Sequence, residues 1–240
     1  MGFNKEQRKR YINILKEAQV KNFGNDYKIK IIVLHENKET CLARCLAREN
    51  HPTIKDERSA QSALNTFFSK YERPTPDEGE LEFRYPDREK NYCVVVDLDG
   101  TLCNIDHRLH WVKPAPGVKK NWKKFFETLE EDIPNVWCTV LINSFNSMIF
   151  PPDIVFASGR PDDYMKQTKT WLEKHDFSTK YLYMRCRGDH RHDYVAKEII
   201  LDFEILTRFE PMFFIDDRQQ VVDLWRRRGY VALQCHPGDF

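Results

Sequence analysis

The chain is most informative at Tyr92-Cys-Val-Val-Val-Asp97-Leu-Asp99-Gly100-Thr101-Leu102. The apolar run before Asp97 predicts a strand buried on both faces, as in a parallel sheet. The Asp-Gly-Thr that follows turns the chain at the strand's carboxyl end, where open α/β sheets hold their ligands. Asp97 and Asp99 repel each other there unless a cation or a proton offsets their charge. The alternative is an Asx-type turn whose carboxylates are solvated.

From residue 91 onwards, strand patterns and helix patterns alternate. Such alternation predicts an α/β fold, a parallel Rossmann-like sheet with helices on both faces. The predicted strands are Tyr92 to Val96, Ile154 to Ala157, Tyr181 to Met184, Met212 to Ile215 and Tyr230 to Gln234. The predicted helices are Pro134 to Met148, Asp162 to His175, His192 to Thr207 and Gln219 to Arg228.

The sequence predicts two domains, residues 1–88 and residues 89–240. The first of these is mostly helical. Its elements are helices from Lys5 to about Val20, Lys38 to Arg48 and about Lys55 to Tyr71, and one strand, Tyr27 to Leu34. The Pro-, Gly- and acid-rich stretch from Arg73 to Glu80 has the composition of a linker. A single strand leaves both of its edges unpaired, so we expect this segment to be part of something larger.

Composition excludes several classes of protein. The net charge is +1 and the isoelectric point is near 7.6, so nucleic-acid binding requires local basic patches. Seven cysteines without a CxxC pair, and no signal-peptide-like start, indicate reduced thiols and a cytoplasmic protein. Cys41 and Cys45 lie one turn apart and are interpreted as helix-packing residues rather than zinc ligands. No run approaches the roughly 20 apolar residues of a membrane span, so we expect no membrane partner.

Polar residues also follow the later strands. Ser158-Gly-Arg160 and Asp216-Asp217 come at strand ends, and Asp193 opens a helix that places Lys197 one turn later. Because the carboxyl ends of parallel strands share one edge, we expect these groups to meet Asp97 and Asp99. The four strand-end carboxylates suit a hard cation such as Mg²⁺, which often bridges to a substrate phosphate. The serine, arginine and lysine supply donors for phosphate oxygens.

This ordered set resembles the haloacid dehalogenase superfamily of phosphotransferases. By that resemblance Asp97 is the nucleophile and forms an aspartyl phosphate, and Asp99 protonates the leaving oxygen and then activates water. Asp216 and Asp217 would hold the metal together with Asp97 and the Asp99 carbonyl. Lys197 would neutralise the nucleophile and the transferring group.

The resemblance narrows to the phosphatase domain of phage polynucleotide kinase/3′-phosphatases, over residues 91–240. It rests on the run from Ile215 to Gly229, the stretch from Gly188 to Asp193, the ending Pro237-Gly-Asp-Phe240, and Arg108 nine residues past Asp99. It adds Arg108, Arg160 and Asp193 to the catalytic residues. It implies a 3′-phosphatase that acts on RNA or DNA ends in end repair, in a phage-infected host cell. A phosphatase of small nucleotides is the alternative reading of the same catalytic set.

The spacing between the first two motifs favours a polymer substrate. Only 58 residues separate Asp99 from Ser158, which leaves room for a small helical elaboration around Trp111 and Asn121 to Phe126. Basic residues there and further on could follow a phosphate backbone, with Trp111 or Trp122 as a stacking face. They are Lys119, Lys120, Lys123, Lys124, Arg185, Arg187 and Arg191; the alternative is an ordinary solvated surface with aromatics in the core. His190 and His192 are interpreted as hydrogen-bonding residues rather than metal ligands.

Residues 4–73 resemble the last portion of the P-loop kinase domain that precedes such phosphatases. Arg44 and Arg48 match an arginine-bearing lid, or are surface salt-bridge partners. A P-loop, GxxxxGK[S/T], is absent from these 240 residues, so this chain alone should not phosphorylate 5′ ends. We therefore expect a separate P-loop kinase polypeptide as a candidate partner, and this segment would complete its sheet. A second copy of this chain is another candidate partner. A subunit that completes a split 5′-kinase is a further candidate function.

Overall fold

The computed structural model describes residues 3–22, 28–49, 53–113 and 115–238. The chain divides into two compact units. One comprises residues 1–88 together with 202–207, and the other comprises 89–201 and 208–240. The short segment 202–207 therefore belongs with the first unit, although it lies far along the sequence. Tyr27, Asp239 and Phe240, which the sequence patterns include, lie outside the described residues.

The second unit is built on a parallel sheet of five strands. Its strands are β3 (Asn91–Val96), β6 (Asp153–Pro161), β7 (Leu182–Arg185), β8 (Phe209–Asp216) and β9 (Ala232–Gln234). Their order across the sheet is β7-β6-β3-β8-β9, with every pair parallel. Val96, the last residue of β3, pairs with Phe156 on one side and Ile215 on the other. The central strand therefore delivers Asp97 to the middle of the sheet edge.

Helices cover both faces of this sheet. They are α5 (Val136–Asn146), α6 (Met165–Lys174), α7 (Asp193–Ile200) and α8 (Gln219–Arg227), whereas α4 (Trp122–Glu127) belongs to the elaboration described below. Val94 and Val96 are fully buried in a core that includes Ile142 of α5 and Leu172 of α6. On the other face, Phe214 stacks on Trp225 of α8 with 4.4 Å between ring centroids. The α/β fold with a parallel sheet between helices is confirmed.

A short elaboration lies between Asp99 and β6, as predicted from the limited spacing. It contains the two-residue strands β4 (Cys103–Asn104) and β5 (Ile133–Pro134), a 3₁₀ helix over Asp106–Trp111, and α4. The two strands pair antiparallel.

In its described residues, the first unit contains three α-helices and a two-stranded sheet. These are α1 (Lys5–Asn22), α2 (Lys38–Leu46), α3 (Glu57–Lys70), β1 (Lys30–Leu34) and β2 (Glu80–Arg84). Side-chain caps define two of the helix starts, because Asn37 and Asp56 each accept a backbone N–H of the first turn. Phe203, from the segment 202–207, joins the aromatic core of this unit, with ring centroids 5.0 Å from Tyr71 and 5.2 Å from Phe68.

Two predictions for this unit are wrong. The strand ending at Leu34 is not unpaired, because β1 and β2 form a parallel pair in register from Lys30↔Glu80 to Leu34↔Arg84. Residues 73–80 are not a plain linker either. They contain a 3₁₀ helix, Pro76–Glu78, whose Glu78 forms a buried ion pair with Arg8 at 2.7 Å. The strand β2 was not predicted, because its charged sequence Glu-Leu-Glu-Phe-Arg lacks the apolar run on which the strand predictions depend.

Among the described residues, every helix is too short or too polar to cross a membrane.

Candidate active site

The carboxyl edge of the five-stranded sheet gathers most of the polar residues that the sequence singles out. Asp97 follows β3, Asp216 is the last residue of β8, and Asp193 is the first residue of α7. All three are at least 94% buried. Their proximity follows from the parallel arrangement, in which each strand ends at the same edge.

The first of two ionic groups at this edge, called here the acidic cluster, surrounds one lysine. It consists of Lys197, Asp97, Asp193, Asp216 and Asp217. The Lys197 ammonium lies 2.6 Å from Asp97 Oδ1, 2.8 Å from Asp216 Oδ2 and 3.5 Å from Asp193 Oδ2. Three carboxylates therefore contact one ammonium in a buried site. Asp193 also meets Arg185 and Arg218, at 3.2 and 3.4 Å, so the shortage of positive charge falls on Asp97, Asp216 and Asp217.

The pKa values in the acidic cluster reflect this shortage. Burial raises the pKa of Asp97 well above its ordinary range, against the opposing effect of Lys197. Burial and the neighbouring Asp216 carboxylate raise the pKa of Asp217 to about 7. Burial also acts to raise the pKa of Asp193, but Lys197 and two arginines outweigh it and the pKa falls below its ordinary value. The cluster is thus poised to accept a cation or protons.

The donor set of the acidic cluster fits a divalent metal ion. One carboxylate oxygen from each of Asp97, Asp216 and Asp217 lies within 4.8 Å of the others. The Oδ1 atom of Asp217 is buried and accepts no hydrogen bond from the described residues. Three converging carboxylates with an unsatisfied oxygen are the hard oxygen ligands that Mg²⁺ prefers.

Backbone contacts from the end of the chain hold Asp217 in place. Its carbonyl accepts the side-chain amide of Gln234 and the backbone N–H of Gly238, each at 3.0 Å. A Cβ atom on Gly238 would lie 1.8 Å from Asp217 Oδ2, and one on Gly100, which has φ +87°, would lie 2.5 Å from the same oxygen. Both positions therefore require glycine if the Asp217 carboxylate is to keep its place.

The second ionic group, called here the arginine cluster, lies around Asp99. It consists of Asp99, Asp132, Arg108 and Arg160. Arg160 donates to Asp99 at 2.6 and 2.9 Å, and Arg108 also donates to Asp99. Asp132 accepts two bonds of 2.6 Å from Arg108 and one of 2.8 Å from Arg160. Two guanidiniums and two carboxylates balance each other in a site with almost no solvent exposure.

The arginine cluster keeps Asp99 ionised. Burial opposes the carboxylate, but Arg160 and Arg108 outweigh burial and hold the pKa of Asp99 far below its ordinary value. Asp99 is an acceptor in this arrangement, which suits the removal of a proton from water. To protonate a leaving oxygen, it must first gain a proton that both arginines oppose.

Asp132 is a site residue that the sequence predictions missed. It stands in the acidic run Glu130-Glu131-Asp132, which has the pattern of a solvated surface. One signal was available, because two predicted site arginines had only Asp99 as an obvious buried partner. Cys103 was missed as well; its thiol lies 3.4 Å from Asp132 Oδ2.

Members of both clusters line a cleft of about 760 Å³. Of the predicted catalytic residues, Asp97, Asp99 and Asp193 line it. Its other walls are cationic and aromatic. They include Lys120, Trp122, Lys123, Phe126, Tyr164, Arg185, His190, Arg191, His192 and Arg218. Arg218 was not predicted; its guanidinium lies 3.4 Å from Asp193 Oδ2.

The remaining predicted residues belong to neither of the two clusters. The Ser158 hydroxyl accepts the backbone N–H of Arg160 at 3.1 Å and is fully buried. Lys124 lies over the Trp111 ring, 4.5 Å from its centroid, and Arg187 pairs with Asp163 at 2.7 Å. Lys119 is exposed and is not among the cleft residues.

Neither predicted pair outside the clusters forms a metal site in the described part of the chain. Groups of three potential ligands there include neither the histidines 190 and 192 nor the cysteines 41 and 45. Arg44 is exposed and pairs with Glu36 at 3.1 Å, which matches the surface salt-bridge reading. The lid reading of Arg44 and Arg48 remains a prediction.

The parallel sheet and the carboxylates at its edge define a phosphatase domain of the haloacid dehalogenase type. Residues 91–240 match the family described as the polynucleotide kinase PNKP phosphatase domain. Because this match spans more than half of the sequence, the chain belongs to that family.

Relatives and solved structures agree with this assignment. A viral protein of Autographa californica nuclear polyhedrosis virus, described as a bifunctional polynucleotide kinase/RNA ligase, is 26% identical over 137 residues. That alignment covers 55% of this chain and 17% of the relative. A chain in the structure of the Pnkp1/Rnl/Hen1 RNA repair complex is 25% identical with a TM-score of 0.52, over 84% of this chain and 62% of that chain.

A second chain, from a structure of the Pnkp1/Rnl/Hen1 complex, shares the fold. It is 17% identical with a TM-score of 0.52 and covers 91% of this chain and 100% of its own length. This chain spans about a sixth of the viral relative and less than two thirds of the first solved chain.

Proposed function

We propose that this chain is a Mg²⁺-dependent polynucleotide 3′-phosphatase that acts in nucleic-acid end repair. One observation carries the proposal: Asp97 lines a cleft with cationic and aromatic walls, and its carboxylate is held 2.6 Å from the buried Lys197. Membership of the PNKP phosphatase family supports the same activity. Mg²⁺ would be held by Asp97, Asp216 and Asp217, where it would offset the charge of the acidic cluster and of the substrate phosphate.

Asp97 is the nucleophile in this proposal. One of its oxygens attacks the 3′-phosphorus, and the bond between phosphorus and the 3′-oxygen breaks to leave an aspartyl phosphate. Lys197 stabilises the ionised form of Asp97, which burial and three nearby carboxylates disfavour. With Mg²⁺ bound beside it, the Asp97 carboxylate would be held ionised by the metal and Lys197 together, and it would attack without a prior proton transfer.

Asp99 moves the proton. It gives a proton to the departing 3′-oxygen, and the carboxylate that results takes one from the water that hydrolyses the aspartyl phosphate. The second half of this cycle matches the ionised state that Arg108 and Arg160 favour. For the first half, we propose that the substrate phosphate competes for these guanidiniums, which weakens their hold on Asp99 and raises its pKa.

The deciding experiment measures inorganic phosphate released from a 3′-phosphorylated oligonucleotide. RNA and DNA versions are compared, each with Mg²⁺ and with a chelator. We expect release only with Mg²⁺ and a loss of about a thousandfold or more in Asp97→Asn. Asp223→Asn, which neutralises an exposed carboxylate on α8, is the matched control and should keep full activity. No release by the wild type, or equal release by Asp97→Asn, would refute the proposal.

The alternative function, a small-nucleotide phosphatase with the same catalytic residues, can be distinguished from a polynucleotide phosphatase by the salt dependence of KM. A polymer that contacts the cleft cations releases counterions on binding, so the KM for an oligonucleotide should rise steeply with salt. A mononucleotide makes few such contacts and should show little dependence. Equal salt dependence for the two substrates would favour the small-nucleotide reading.

A second candidate function, completion of a split 5′-kinase, is favoured by the first unit. Two-stranded parallel sheets are seldom stable alone, since parallel sheets are normally buried on both faces. Here β1 exposes Ile32 and Leu34, at 45% and 71%. We propose that P-loop-bearing residues outside these 240 cover this sheet. The test adds a P-loop polypeptide and measures phosphate transfer from ATP to a 5′-hydroxyl end; Ile32→Asp should abolish any gain, and no gain with the wild type contradicts the idea.

A further inference from the structure

One wall of the cleft contains an aromatic group that the phosphoryl chemistry does not use. It consists of Trp122, Phe126 and Tyr164, which line the same cleft as Asp97. The Trp122 and Phe126 rings are nearly parallel, at 24°, with centroids 6.0 Å apart. Tyr164 lies 5.2 Å from Phe126.

Trp122 differs from the core tryptophans in its exposure. It is 41% exposed, whereas Trp171 and Trp225 are each 1% exposed. Its position is nevertheless fixed, because Phe125 meets it edge-on at 5.7 Å and Phe126 continues the stack towards the core. A large ring that is held in place and left open on a ligand cleft is suited to receive another flat ring.

The cations beside this group are available to a ligand. The Lys120 ammonium lies over the Trp122 ring, 5.6 Å from its centroid, a long contact that a stacked base would replace. Lys123 is 81% exposed and pairs only loosely with Glu127 at 3.6 Å. Arg185, further along the cleft, is engaged by Asp193 and by three backbone carbonyls. The two lysines are therefore the groups best placed to meet phosphates next to a stacked ring.

The geometry also distinguishes Trp122 from Trp111, the other tryptophan of the elaboration. Trp111 packs against the hydrophobic core and is not among the cleft residues. Only one of the two tryptophans therefore shares a cleft with the nucleophile.

We propose that Trp122 is a stacking site for an unpaired nucleobase of the strand end whose 3′-phosphate lies at Asp97, with Lys120 and Lys123 on the adjoining phosphodiester. This inference rests on the proposed 3′-phosphatase function and gives it a substrate preference. The chain should act on single-stranded or frayed ends that can place a base against Trp122. Ends whose last nucleotides lack bases should bind poorly, because base–aromatic stacking contributes substantially to single-strand binding.

The test compares two oligonucleotides that differ only at the 3′ end. One carries normal nucleotides and the other carries two abasic nucleotides before the same 3′-phosphate. For the wild type we expect the KM of the abasic substrate to be about tenfold higher or more. In Trp122→Ala this ratio should fall to near one, through a rise in the KM of the normal substrate. Trp122→Phe should restore most of the ratio.

Trp137→Ala is the matched control, since Trp137 is 44% exposed on α5 and does not line the cleft. It should keep the wild-type ratio. A wild-type ratio near one, or a Trp122→Ala variant that retains the wild-type ratio, would overturn the stacking site.

A binding measurement separates this proposal from the proposed activity. Fluorescence anisotropy of the same two oligonucleotides with a 3′-hydroxyl needs no phosphate release. If the wild type proves inactive but Trp122→Ala loses its preference for the normal strand, stacking is supported and the phosphatase proposal fails. If the wild type is active but binds both strands equally, the stacking site alone fails.

Discussion

The acidic cluster and the arginine cluster begin two residues apart in the sequence, at aspartates whose pKa values shift in opposite directions. Around Asp97, three carboxylates contact one ammonium, and burial raises the pKa of Asp97 and Asp217. Around Asp99, two carboxylates meet two guanidiniums and the pKa of Asp99 is lowered. Both aspartates are buried, so the difference lies in their cationic partners: Asp97 meets one ammonium that Asp216 also contacts, whereas Asp99 meets the two guanidiniums of Arg108 and Arg160.

Removal of a carboxylate should therefore have opposite effects in the two clusters. Asp132→Ala leaves two buried guanidiniums facing only Asp99, and we expect a loss of about 3–5 kcal/mol in the free energy of unfolding. Urea unfolding followed by circular dichroism measures it. Asp106→Ala, at an exposed carboxylate in the same elaboration, should stay within about 0.5 kcal/mol of the wild type. A loss below about 1 kcal/mol for Asp132→Ala would show that the Asp132 carboxylate does not balance the charge of Arg108 and Arg160.

In the acidic cluster, Asp217→Asn should stabilise the metal-free protein. At pH 8 the wild-type carboxylate is ionised at a cost, because its folded pKa of about 7 lies above its ordinary value. Neutralising it should raise the free energy of unfolding by about 1–2 kcal/mol and should remove most of the stabilisation by Mg²⁺. Thermal unfolding with and without Mg²⁺ gives both quantities. Destabilisation without metal would contradict the assigned shortage of positive charge.

The pH dependence of stability should separate the clusters as well. A carboxyl whose pKa is raised on folding binds more protons in the folded state, so Asp217 destabilises the metal-free protein as pH rises from about 4 to about 7. Asp99 has the opposite shift; its contribution is fully present above its unfolded pKa and is lost only as pH falls below about 4. Stabilisation by Mg²⁺ should thus be larger at pH 8 than at pH 5.5, by up to about 2 kcal/mol. Equal stabilisation at both pH values would argue against a metal at Asp217.

The smallest expected effect tests the backbone contacts around Asp217. Gly238→Ala places a Cβ where Asp217 Oδ2 now lies and should weaken Mn²⁺ binding about tenfold, or about 1.4 kcal/mol, with little change in melting temperature. Electron paramagnetic resonance of free Mn²⁺ measures binding without substrate. His236→Ala, at an exposed neighbour, is the control. Unchanged Mn²⁺ affinity would show that the carboxylate does not depend on this glycine.

Much of the second unit could be predicted because its signals are local. The apolar run before Asp97 predicts a buried strand, and the equivalence of parallel strand ends places Asp193 and Asp216 beside it. Asp132 could not be found in this way, because its burial depends on two arginines that approach from distant parts of the sequence. The β2 strand was missed for a related reason. Its charged sequence does not predict a strand, and its pairing with β1 depends on tertiary structure.

Because the segment 202–207 belongs to the first unit, a cut at residue 88 does not separate the two units cleanly. Asp202 accepts a 2.9 Å hydrogen bond from Tyr85 and also a hydrogen bond from Arg73, and Phe203 packs among four aromatic rings, all within residues 35–85. A fragment cut at residue 88 to isolate the phosphatase would carry Asp202 and Phe203 without these partners. It would expose the Phe203 ring to solvent, and exposed apolar surface favours aggregation. Solution studies of the catalytic half are therefore best made on the uncut polypeptide.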